Sequence, residues 1–329
     1  MATRRTFLKT SATLFAGAAL SNFVSAQQEK APLIWGNMLN LGHNMWGDTP
    51  RAYTPPHSKM ICEYPVWERL TNEMADAGLN LLLIDLGEGV QYESHPEIAI
   101  EGAWSVEKLR NELARLRKMG IEPIPKLNFS ACHDFWLGDY ARMLSTPKYY
   151  EVCADLIQEV CEIFDTPRFF HLGYDEETFG HQQTYDYIVI RQNELWWHDF
   201  LFFVKTVDAQ NVRPWIWSDY CWHHWDEFAK RMPKHVLQSN WYYNTEWDPA
   251  KVNYLQAYLK LEKEGFDQIP TGSNWDNDAN FGNLVKFCRE HIDGPRLKGF
   301  LQTPWKSTTA DSLEHHLNAI RFVKEAKNG

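Results

Sequence analysis

Three adjacent carboxylates, Asp175-Glu176-Glu177, end the apolar run Arg168-Phe169-Phe170-His171-Leu172-Gly173-Tyr174. Crowded acids repel one another, and unless water or cations relieve them at least one holds its proton to higher pH than a free carboxyl. Such a group can act as a general acid, while an ionised neighbour stabilises developing positive charge. The competing reading is a structural acid cluster capped by an arginine such as Arg168. What decides between them is whether the fold brings the acids to a shared cavity.

The elements around this stretch are legible as an alternation. Apolar, β-type runs occur at 33–41, 79–85, 121–128, 168–173, 214–218, 236–241, 268–273 and 297–303. Amphipathic helical runs lie between and after them at 66–77, 106–119, 148–164, 193–209, 225–232, 251–264, 283–291 and 313–326. Eight buried strands, each followed by a helix, predict an α/β fold of one kind, a single (β/α)8 TIM barrel spanning residues 27–329. An open doubly wound sheet is the alternative. No GxGxxG or GxxxxGK[ST] follows the first strand, so no nucleotide cofactor is expected.

In such a barrel the strands' carboxyl ends share one rim. Reading off each end gives Asn40 and His43, Asp85 and Glu88, Asn128 and His133, Asp175 and Glu176, and Trp217 and Asp219. The last three strands add Trp241-Tyr242-Tyr243-Asn244, Asn274-Trp275-Asp276 and Trp305-Lys306. Acids, amides and tryptophans converge there. Fifteen tryptophans in 329 residues is a heavy load, and indole faces stack on sugar rings as well as filling cores.

The first 26 residues read as a separate segment. Thr3-Arg4-Arg5-Thr6-Phe7-Leu8-Lys9 precedes an apolar run from Ala12 to Leu20, then Val24-Ser25-Ala26. This resembles a twin-arginine export signal, which implies the twin-arginine machinery as a partner and a periplasmic or secreted destination. The run is too short and too rich in small residues for a spanning helix, so no stable membrane insertion is expected after cleavage. Removing the segment leaves 30 basic against 43 acidic residues, a charge of −13, which disfavours nucleic acid. The six cysteines show no CxxC spacing and read mostly as buried apolar residues.

On these residues the chain resembles glycoside hydrolase family 20, the β-N-acetylhexosaminidases. His171-Leu172-Gly173-Tyr174-Asp175-Glu176 is similar to that family's His-x-Gly-Gly-Asp-Glu at the end of strand four. Trp241-Tyr242-Tyr243-Asn244 is similar to its strand-six Trp-Tyr-Leu-Asp/Asn, and Trp217-Ser218-Asp219 to its strand-five Trp-Gln-Glu. The resemblance implies a retaining, substrate-assisted hydrolysis of terminal β-linked N-acetylhexosamine, in which the sugar's own acetamide oxygen attacks the anomeric carbon. Glu176 would then be the general acid and base, its pKa kept high by neighbouring acids. Asp175 would accept the acetamide N–H, and Tyr242 would donate to the acetamide oxygen. Trp217, Trp241 and Trp305 would wall the pocket, with His43, Asp85, Asn128, His133, Asp219, Trp275 and Asp276 as further substrate-binding candidates. Departures fall at His43, where the family has arginine, at Ser307, where it has an acid, and at Tyr174, where it has a second glycine.

Two other readings use the same rim. A metal-dependent sugar isomerase or lyase would draw ligands from His133, Asp175, Glu176, Asp219 and Asp276, although neither HExxH nor a His-x-His pair is present. A non-catalytic glycan-binding barrel would keep the aromatic wall and dispense with the acid.

Overall fold

Strands of a covered parallel sheet must be apolar on both faces, and eight short runs meet that demand. They are β1 (Ile34–Asn40), β2 (Leu81–Asp85), β3 (Glu122–Lys126), β4 (Phe169–His171), β5 (Arg213–Trp217), β6 (Leu237–Ser239), β7 (Thr271–Gly272) and β8 (Gly299–Gln302). The computed structural model describes residues 32–46, 54–183, 185 and 187–329. Its strands pair in parallel in the order β6-β5-β4-β3-β2-β1-β8-β7. The ring closes between β6 and β7, where Ile269 N–H donates to Gln238 O at 2.9 Å and Thr271 N–H to Asn240 O at 3.0 Å. The fold is the (β/α)8 barrel that the alternation predicts.

The helices are α1 (Tyr64–Asp76), α2 (Val106–Lys118), α3 (Pro147–Ile163), α4 (Asn193–Asp208), α5 (Trp225–Arg231), α6 (Asn253–Lys263), α7 (Asn280–His291) and α8 (Leu313–Asn328). Local chemistry sets several starts. Ser105 accepts from Lys108 N–H ahead of α2, and Thr146 accepts from Tyr149 N–H ahead of α3, whose first residue is Pro147. Two features carried no periodic signal: a parallel pair of two-residue strands, Val90–Gln91 with Trp104–Ser105, and the single turn Phe179–Gln182.

Side chains alternate across each strand, and this divides the core into two layers. Ile34, Met38, Leu81, Leu83, Ile124, Phe169, Trp215, Trp217, Leu237, Ile269 and Leu301 fill the barrel interior. Leu39, Leu82, Ile84, Phe170 and Ile216 face outward into the larger layer under the helices. The interior layer matters for the site, because the next inward residues along the same strands are those that reach the rim.

Leu33–Gly329 forms one compact unit. All six cysteines are free thiols, and five of them are buried. Among the described residues no helix is long and apolar enough to cross a membrane. The expected export signal lies outside the described residues.

Candidate active site

The site is built on an abnormal turn at the end of β4. Gly173 has φ 69°, and a Cβ there would lie 2.0 Å from Asn128 Oδ1, so only glycine fits. Tyr174 (φ 75°) and Glu176 (φ 56°) are also left-handed, at a cost on the order of 1–3 kcal/mol each for such residues. Neighbouring strands supply the compensating hydrogen bonds. Asn128, beyond β3, accepts Tyr174 N–H at 3.1 Å, and Asp219, beyond β5, accepts Glu176 N–H at 2.9 Å.

This turn separates the three acids. Asp175 and Glu176 face the cavity, whereas Glu177 turns away to the buried Arg191, whose Nε and Nη2 donate to it at 2.9 and 2.7 Å. Tyr174 packs outward between Arg191 and α4, 5.1 Å from Trp196 between ring centroids. The arginine that meets the cluster is therefore Arg191. Arg168 pairs with Glu122 at the other end of the strand.

Asp175 is 7% exposed and accepts Asn128 Nδ2–H at 2.8 Å. His133 Nε2 lies between the two cavity carboxylates, 3.5 Å from Asp175 Oδ2 and 3.3 Å from Glu176 Oε2. His181 Nε2 approaches Glu176 Oε1 at 3.3 Å. Burial pushes the Glu176 carboxyl up, but the hydrogen bonds and charge of His133 and His181 outweigh it and hold the group well below the usual carboxylate range. This corrects the expectation that adjacent acids raise Glu176: two imidazoles stand 3.3 Å from its carboxylate oxygens, and their hydrogen bonds and charge prevail. Burial likewise opposes charge on His133, yet Asp175 and Glu176 lift its pKa to about 9. The crowding adds to a rise at Asp219, which burial first and then the Asp175 charge push up to about 7.

Aromatic rings supply the rest of the lining. Trp46, Trp217, Trp241, Tyr243, Trp275 and Trp305, with Met45, enclose a cavity of about 240 Å3. Trp217 and Trp305 lie 6.0 Å apart between centroids, and Trp241 lies over Tyr243 at 5.1 Å. Trp305 Nε1–H donates to the Tyr243 hydroxyl at 3.0 Å, and Trp241 Nε1–H to Asp219 Oδ1 at 3.4 Å.

Of the residues expected at the site, Asn128, His133, Asp175, Glu176, Trp217, Trp241, Trp275 and Trp305 line the cavity. Tyr242 does not. Leu237 and Ser239 face inward on β6, so alternation sends Trp241 and Tyr243 inward and Tyr242 outward, against Trp247 at 5.3 Å. Asp85 is buried in an ion pair with Lys126 below the cavity, because a carboxylate at that depth needs a charged partner. His43 stands behind Trp46, 5.3 Å from its ring, with its pKa lowered to about 4, mainly by burial. Asp276 is exposed on the loop beyond Trp275. Asp219 sits behind Glu176 and Trp241 rather than on the surface of the cavity. Glu88 accepts His43 N–H and Asn44 N–H at 2.7 and 3.0 Å and so fixes the loop after β1. Met45, Trp46, Tyr243 and His181 are the contributors that the rim reading did not assign.

Among the described residues one group has the spacing to hold a metal ion: ligand atoms of His133, Asp175 and Glu176 lie within 4.8 Å of one another. Neither Asp219 nor Asp276 joins that group, so the five-ligand set of the isomerase reading is not assembled.

No family model and no curated sequence matches the chain. Solved structures do. An exo-β-N-acetylglucosaminidase of glycoside hydrolase family 20 from Vibrio harveyi aligns with a TM-score of 0.59 at 16% identity, over 88% of this chain and 54% of that one. A chitobiase from Flavobacterium johnsoniae gives 0.61 at 15%, over 88% and 47%. A β-N-acetylhexosaminidase from Bacteroides fragilis gives 0.60 at 13%, over 88% and 65%. The chain thus spans only part of each of these proteins. At such identity the likeness is one of fold alone: the chain is structurally similar to the catalytic barrels of these hexosaminidases.

Proposed function

We propose that this protein is a retaining glycoside hydrolase acting on terminal β-linked N-acetylhexosamine or a closely related sugar. One observation carries the reading: Asp175 and Glu176 enter a cavity with room for a single pyranose, facing a wall of indole rings. The barrel's likeness to hexosaminidases supports it.

The resemblance to family 20 supplies the chemistry that this geometry would serve. Glu176 gives a proton to the glycosidic oxygen as the sugar's acetamide oxygen attacks the anomeric carbon, and then activates the water that opens the oxazolinium. Asp175, held by Asn128, accepts the acetamide N–H and stabilises the positive charge. Tyr243 takes the part expected of Tyr242: its hydroxyl receives Trp305 N–H at 3.0 Å and shares a 3.3 Å hydrogen bond with Thr303 Oγ1, and turning its proton into the cavity lets it donate to the acetamide oxygen. Without a sugar, His133 and His181 favour the ionised form of Glu176. A sugar entering between the rings excludes water, which raises the carboxyl pKa, and His133, whose Nε2 stands 3.3 Å from Glu176 Oε2, is placed to supply the proton.

Turnover of chromogenic β-N-acetylglucosaminide and β-N-acetylgalactosaminide, compared with Asp175→Asn and Glu176→Gln, tests the assignment. Undiminished rates in both variants would overturn it. We also read the first 26 residues as directing twin-arginine export to the periplasm or medium. An intact N-terminus on protein recovered from the cytoplasm alone would contradict that.

A second reading rests on the spacing of His133, Asp175 and Glu176, which suits a divalent cation and metal-assisted sugar chemistry. Activity lost to a strong chelator and restored by one metal would favour it over acid–base hydrolysis.

A further inference from the structure

Asp219 stands at the junction of the two halves of the site. One oxygen accepts the backbone N–H of Glu176 at 2.9 Å, and the other accepts Trp241 Nε1–H at 3.4 Å. Its side chain is buried, so water does not take over either bond. Glu176 needs such a partner, because left-handed φ takes its N–H out of any strand ladder. Trp241 needs one too, because its ring is packed on the barrel interior and on Trp222 at 4.6 Å, where an unpaired indole N–H is costly.

We propose that Asp219 is a positioning residue that fixes the backbone of Glu176 and the ring of Trp241 with one carboxylate, and does not itself bind the sugar. The inference rests on Glu176 being the acid and base. Asn128 is its counterpart on the other side, accepting Tyr174 N–H while it donates to Asp175. The turn bearing both acids is therefore bracketed from β3 and β5. The bracket from β5 alone also reaches the aromatic wall, so acid geometry and ring stacking are not independent. Displacing either reacting group by about 1 Å is enough to cost on the order of a hundredfold in rate.

Three variants test this in the full chain: Asp219→Asn, Asp219→Ala and Trp241→Phe, each with kcat and KM on the best chromogenic substrate. Asparagine keeps one acceptor and presents an N–H to the other donor, so kcat should fall about tenfold, and in the alanine variant about a hundredfold, with KM changing much less. In Trp241→Phe the ring remains and the N–H is gone, so adding Asp219→Asn to it should cost less than in the native background. Wild-type kcat in Asp219→Ala, or a loss confined to KM, would overturn the inference. So would strict additivity with Trp241→Phe.

A readout that does not depend on turnover separates this inference from the functional reading. In a crystal structure of Asp219→Ala, Glu176 should leave the left-handed region and Trp241 should rotate. If both keep their places, Asp219 positions neither, whatever the enzyme hydrolyses. An inactive wild-type protein in which Asp219→Ala still frees Glu176 would overturn the proposed reaction and leave the positioning role standing.

Discussion

The two sides of the cavity are held by different forces. On the side of β3 to β5, Asn128, His133, Asp175, Glu176 and Asp219 are joined by directed hydrogen bonds and charge. On the side of β6 to β8, Trp241 and Trp305 pack on the apolar barrel interior and Trp241 lies over Tyr243. The first side tolerates little change of atom type, because Asn128 and Asp219 each hold a specific partner and His133 sits between two carboxylates. The second tolerates change of atom type and resists change of shape. In the proposed reaction the first side moves protons and the second selects and dehydrates what enters.

That contrast fixes the expected order of effects. Glu176→Gln keeps the shape and removes the proton, and should lower kcat by about a thousandfold with KM nearly unchanged. Trp305→Ala opens the wall and should act mostly through KM, raising it roughly tenfold or more as stacking area is lost. Tyr243→Phe should lower kcat/KM by about tenfold through one hydroxyl, while Tyr242→Phe should leave it within a factor of about two. Equal effects of the two tyrosine substitutions would mean that the inward face of β6 is not the one bearing the chemistry.

The hydrogen-bonded side should also carry a pH signature that the aromatic side lacks. His133 binds its proton more tightly in the folded protein, at about 9, than an unperturbed imidazole does at 6.5. Its stabilising contribution is complete below pH 6.5 and is lost as pH rises through 9, on the order of 3 kcal/mol. The melting temperature should therefore fall across that window, and His133→Gln should flatten the fall. Glu176, held below its ordinary value, gives the opposite limb, losing its contribution as pH drops through the acid range. The smallest catalytic effect belongs to Arg191→Met. It strands the buried Glu177 and should cost about 3–5 kcal/mol of stability, with kcat per folded molecule little altered.

The barrel was legible because its strands are short apolar runs at regular intervals, from Leu81–Asp85 to Gly299–Gln302. Strand ends were not, since 236–241 and 268–273 shrink to Leu237–Ser239 and Thr271–Gly272, where β6 and β7 meet only through isolated bridges. The acid pair could be read from its own crowding. Its charge state could not, because His181 lies on an irregular segment whose return to Glu176 no periodicity announces. The choice between Tyr242 and Tyr243 was available in principle, for counting in twos from Leu237 leads to Tyr243. Asp85 does not reach the cavity because inward alternation puts it and Lys126 together beneath the rim, where they pair.

The most direct test of the central claim is the configuration of the first-formed product. Proton NMR during hydrolysis of a β-N-acetylglucosaminide should show the β-anomer of the free sugar appearing first and then mutarotating, as a reaction through the sugar's own acetamide on one face requires. Initial formation of the α-anomer would contradict the account.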